Sequence, residues 1–149
     1  MARKGAESSA GGFLLGKAAR LSEKAFARVL RGAGLDSFEP GQGRIIFVLS
    51  DKGPLGQKEL ASIVGLDKSS LALTLDRMEE KGLVARRRDE ADARRSIVSL
   101  RGGMALDPGA YEEVSAEMTA LFYKGFSRKE RADFEAMLER VISNLEDQG

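Results

Sequence analysis

The chain has no cysteine and no histidine. Without cysteine there is no disulfide and no thiol to sense an oxidant. Without either residue, zinc sites built from Cys and His are excluded. So are Ser-His and Cys-His catalytic pairs. The remaining carboxylates are scattered over polar helix faces, which leaves no constellation for an enzyme. No metal or cofactor is expected. No apolar run approaches the length of a membrane span. The FLLG after MARKGAESSAGG is too short for a secretory signal, so a cytoplasmic location is expected, with no membrane partner. What remains is 149 residues, 42% hydrophobic and 32% charged, enough for one helix-rich domain with a real core. The net charge of +1 says little as a total, because a basic patch can be balanced elsewhere.

The informative stretch is LGQKELASIVGLDKSSLALTLDRMEEKGLVARRRDEADARRSIVSL, residues 55–100. Leu60, Ala61 and Val64 share one face of a short helix over 57–64. Gly65 ends it in a conformation cheap for glycine. Asp67 is a good N-cap for a second helix, with Leu66 and Leu71 spaced as a hydrophobic staple. That helix runs to Lys81, and Gly82 closes it. Leu71, Leu75 and Met78 form its buried stripe. Ser69, Leu73, Asp76, Arg77 and Glu80 fall opposite. A recognition helix puts its N-terminal half in the major groove. Lys68, Ser69, Ser70, Ala72 and Leu73 are therefore placed to read bases or phosphates.

Residues 83–88 and 96–100 have strand composition, and the loop between them is too polar to pack. This is the pattern of a β-hairpin wing. An Asp92–Arg94 ion pair would hold Arg94 at the tip, where an arginine can enter a narrow minor groove. Arg86, Arg87, Arg88, Arg94 and Arg95 form a basic cluster interleaved with Asp89, Glu90 and Asp92. The plain alternative for it is a solvated hairpin laced with salt bridges. Arg77, Arg86, Arg88, Asp92, Arg94 and Arg95 join the DNA-facing set.

In order and at these spacings the motifs resemble the winged-helix core of the MarR family, the multiple-antibiotic-resistance-type transcriptional regulators. The matching residues are KELA at 58–61, GLDKSS at 65–70, LDRMEEKGLV at 75–84, the D-x-R of Asp92 and Arg94, and Val98-Ser99-Leu100. The chain departs from the family at Ala72 and Leu73, where Thr and Arg are usual, and at Arg101, where Thr is usual. The resemblance implies a homodimer on double-stranded DNA. It also implies a small aromatic or anionic effector bound between the dimer helices and the winged unit. Phe13, Phe38, Arg44, Tyr111 and Phe122 are the candidate ligand residues of that region. Each also suits plain core.

Elsewhere, residues 1–12 read as a flexible tail. Residues 13–31 are helical, with a stripe of Leu14, Ala18, Leu21, Ala25 and Val29, widened by Leu15, Phe26 and Leu30. Lys17, Arg20, Lys24 and Arg31 make its solvated side. Pro40 suits the first position of the next helix, whose Ile45, Ile46, Phe47, Val48 and Leu49 should be deeply buried. The GQGR at 41–44 lacks the Gly-Lys-Ser/Thr ending of a phosphate loop. Pro108 marks a late start or a kink. Tyr111, Val114, Met118, Leu121 and Phe122 form another stripe. Ser127 and Glu130 are spaced as a capping box for the last helix, lined by Phe134, Met137, Leu138, Val141, Ile142 and Leu145.

The expected fold is mainly α (α+β), a winged helix-turn-helix with flanking dimerisation helices. One domain spans 13–149, with the winged core at 40–100 and dimerisation helices at 13–32 and 103–147. The terminal helices are too apolar to stand free, and a second copy is their simplest partner. Packing within a monomer is the alternative. The function expected is a homodimeric repressor of a pseudo-palindromic operator, relieved by a small molecule. The alternative is a winged-helix module that binds protein.

Overall fold

A computed structural model describes residues 9–34, 39 and 41–148. Pro40, Phe38 and most of the expected tail lie outside the described residues. The elements run α1 (Gly11–Gly32), α2 (Gln42–Lys52), β1 (Leu55–Gly56), α3 (Gln57–Val64), α4 (Lys68–Glu80), β2 (Val84–Arg88), β3 (Ser96–Leu100), α5 (Pro108–Phe122) and α6 (Arg128–Glu146). The strands form one antiparallel sheet in the order β1-β3-β2. Val84 faces Leu100 and Arg88 faces Ser96, while Leu55 faces Val98. This is a mainly α, α+β winged helix-turn-helix.

Local chemistry sets the boundaries. Gly65 closes α3 at φ 74° and ψ 26°, a left-handed position that a side chain would strain. Asp67 opens α4 by accepting the Ser70 N–H at 2.7 Å. Asp107 caps α5 in the same way, and Pro108 is simply its first residue, where a missing N–H costs nothing. Ser127 and Glu130 complete a reciprocal capping box on α6.

Two cores result. The first joins Ile45, Ile46 and Leu49 of α2 to Leu60, to Leu71, Leu75 and Met78 of α4, and to Leu83, Val84 and Val98 near the wing. The second joins Phe26, Val29 and Leu30 of α1 to Leu106 and Val114, with Phe47 and Tyr111 packed on it. Helix α2 touches both. Its middle is therefore not uniformly buried as expected, because Phe47 and Val48 are half-exposed where the two cores part.

The terminal helices differ from expectation more. Only the second half of α1 is buried, and Leu14, Leu15 and Leu21 are exposed. Helix α6 buries none of its residues, and Met137, Val141, Ile142 and Leu145 all lie open. The stripes are present, but among the described residues nothing covers them. Leu66 also stays exposed rather than closing a staple on the buried Leu71. Among the described residues, no helix is long and apolar enough to cross a membrane.

Candidate nucleic-acid interface

Helix α4 is held by its inner stripe, since Leu71, Leu75 and Met78 are fully buried. Its outer face is thereby fixed. Lys68, Ser69, Leu73 and Arg77 are exposed on it, with Leu73 at 60%. Ala72 is half-buried on the flank. Ser70, expected to read DNA, also supports the Asp67 cap. Its hydroxyl donates to Asp67 Oδ2 at 2.9 Å, and its carbonyl accepts from the Thr74 hydroxyl at 3.0 Å. The Ser70 N–H, then its hydroxyl, holds the Asp67 carboxyl below the ordinary aspartate range.

The wing carries Arg94 outward. Its side chain is 92% exposed, and its Nε donates to Asp92 Oδ1 at 3.2 Å. Asp92 also accepts the Arg94 backbone N–H at 3.1 Å, so the expected pair is present. Between the start of α3, the start of α4 and the wing tip lies a cleft of about 820 Å³. Lys58, Lys68, Arg94 and Arg95 line it together with the carboxylates Glu59 and Asp92.

The remaining arginines are more committed than their charge suggested. Arg86 is only 22% exposed and pairs with Asp76 at 2.5 Å and Glu79 at 3.1 Å. The paired Arg86 pulls the Glu79 carboxyl below its ordinary range, and Glu79 and Asp76 together raise the Arg86 guanidinium. Arg95 pairs with Glu59 of α3 and with Asp89 at 3.4 Å. Arg88 donates to the Ala93 carbonyl at 2.6 Å across the base of the loop. All three are expected to face DNA; Arg86 is drawn inward by its two carboxylates, while Arg88 and Arg95 remain exposed with one side engaged by the protein.

Two exposed cations were missing from the expected set. Lys58 sits in the first turn of α3, on the cleft. Arg87 is exposed on β2 and has no ion pair among the described residues. Strand alternation was the available signal. Val84 is buried, so Arg86 shares its face and Arg87 takes the other.

Among the described residues, the candidate ligand residues do not all converge within one protomer. Phe38 lies outside the described residues. Phe13 is 86% exposed near the start of α1. Arg44 is already paired with Glu23 at 2.7 Å and sits 4.7 Å over the Phe26 ring. Tyr111 stacks on Phe47 at 4.3 Å, and Phe47 meets Phe26 edge-on at 5.2 Å. Burial, then Asp51, raises the Tyr111 hydroxyl above its ordinary pKa. Phe122 belongs to a separate cluster with Tyr123 and Phe134.

A capped helix in a helix-turn-helix, beside a wing with an arginine at its tip, defines the winged-helix class of DNA-binding regulators. The comparisons agree. Residues 38–96 match the sequence profile of the MarR family. The uncharacterized HTH-type transcriptional regulator YwoH of Bacillus subtilis (strain 168) is 30% identical over 131 residues, 88% of this chain and 87% of that protein. The PcaV transcriptional regulator from Streptomyces coelicolor, solved in complex with its natural ligand, has a TM-score of 0.61 at 25% identity, covering 93% of this chain and 97% of its own. A mutant MarR from E. coli complexed with operator DNA has a TM-score of 0.62 at 20% identity, covering 91% and 99%. The chain belongs to the MarR family of transcriptional regulators, which are not enzymes.

Proposed function

We propose that this regulator is a homodimeric repressor of a pseudo-palindromic operator, relieved by a small aromatic or anionic ligand. One observation carries the DNA side. Lys68, Ser69, Leu73 and Arg77 are exposed together on α4, beside the exposed Arg94 and the cleft that Lys58 and Lys68 border. Lys58, Lys68 and Arg87 supply phosphate contacts, Ser69, Leu73 and Arg77 face the major groove, and Arg94, oriented by Asp92, enters the minor groove. Half-sites about 34–36 Å apart would suit a two-fold pair of winged units. The bare stripes of α1 and α6 support the pairing. The E. coli relative solved with operator DNA and the S. coelicolor relative solved with its ligand are consistent with both arms. Arg44 and Tyr111, which flank the Phe26–Phe47 pair, are the ligand candidates that share one cluster.

The test is titration of the protein with the duplex upstream of its own gene at several salt concentrations. Log affinity should fall linearly with log salt, by about 0.9 per phosphate neutralised. A flat response overturns the DNA reading. The exposed Leu73 favours a protein-binding winged helix as the second reading, and failure to bind any duplex moves the function there.

A further inference from the structure

Arg86 stands where the wing meets the recognition helix. Its Nη2 donates to Asp76 Oδ1 and to Glu79 Oε1, while its backbone N–H donates to Glu79 Oε2 at 3.1 Å. Strand β2 is at the sheet edge, with β3 on one side only. Glu79 fills a hydrogen-bond position on the open edge, and the guanidinium ties the strand to one turn of α4. We propose that Arg86 is a positioning residue: it sets the angle of the wing against α4 and makes no contact with DNA.

The charge balance supports this. Two carboxylates surround one guanidinium, so the cluster is net negative on an element that faces phosphate. An arginine drawn off to a phosphate would strand both carboxylates beside the duplex. The cluster therefore works against DNA electrostatically and for it geometrically. Arg94 rides on the loop that begins three residues beyond Arg86, so a small rotation of β2 is magnified at the tip.

This inference rests on the DNA-binding reading, and the test separates the two. Duplex affinity is measured at one salt concentration for a set of variants, with folding checked by circular dichroism. Asp76→Asn with Glu79→Gln removes two negative charges near phosphate, so electrostatics alone would tighten binding. The positioning role instead predicts binding about tenfold weaker. Arg86→Ala should weaken binding similarly in the intact protein, yet add little once Arg94→Ala has been made, because it acts through Arg94. Arg86→Lys should keep part of the affinity. Tighter binding by the carboxylate variant, or additive losses for Arg86→Ala and Arg94→Ala, overturns the proposal while leaving the DNA reading intact. If Arg86→Ala does not fold, the carboxylate variant and Arg86→Lys decide by the same criteria. Wild-type protein that binds no duplex overturns both.

Discussion

At the scale of a residue, Leu73 is the most informative departure. It sits opposite the buried Leu71, Leu75 and Met78, so neither packing nor capping explains it. An apolar side chain on the groove face can meet the C5-methyl of thymine, where an arginine would read guanine through O6 and N7. Leu73→Ala should lose about 1 kcal/mol on the preferred site, with little change elsewhere. Leu73→Arg should shift the preference at that position to guanine. Selection from randomised half-sites checks both. If wild type and variants select the same bases throughout, Leu73 does not read DNA. Its exposure was legible in the sequence because a helix has a fixed period and the inner stripe was unmistakable. The role of Ser70 was less so, since a hydroxyl next to an N-cap can turn either way until the cap geometry is known.

At the scale of elements, the wing is held at both ends of its hairpin. Arg86 ties β2 to α4, and Arg95 ties the start of β3 to α3 through Glu59. Gly56 makes room for the second tie. A Cβ there would lie 2.7 Å from Arg95 Nε and 2.8 Å from its Nη2. Gly56→Ala should displace the guanidinium rather than unfold the chain, because the obstacle is a flexible side-chain end. The exposed ion pair contributes at most about 1 kcal/mol, so melting should fall by about 2–4 °C or less. DNA affinity should fall severalfold as the wing loosens. An unchanged affinity with a displaced Arg95 would show that this tie does not orient the wing. Helix α3 and strand β3 were read at their observed limits, because Gly65, Asp67 and the β-branched run are local signals. Strand β1 is two residues long and exists only by pairing with β3, so it has no pattern of its own. The Arg95–Glu59 pair is likewise a product of the fold, invisible to spacing rules. The Arg86 contact could have been read, since alternation from Val84 turns it inward.

At the scale of the whole molecule, periodicity told which faces of α1 and α6 are apolar but not what lies against them. The protomer leaves the α6 stripe open, so its cover is expected from a second copy. If α6 pairs with a second copy, Leu138→Glu with Val141→Glu should dissociate the dimer or unfold it. Sedimentation of a folded, still dimeric variant would place the interface elsewhere. A 19-residue helix of about 28 Å with no buried residue also has a consequence for abundance. If its apolar side is covered only on association, the stability of the chain is set partly by mass action. Each tenfold dilution would remove about 1.4 kcal/mol of that support per dimer. Newly made chains, rare at first, would be the least protected against proteolysis. A cell holding few copies would then keep the regulator scarce by degradation until synthesis crosses the association threshold, giving its DNA site a sharper onset of occupancy than the binding curve of a preformed dimer.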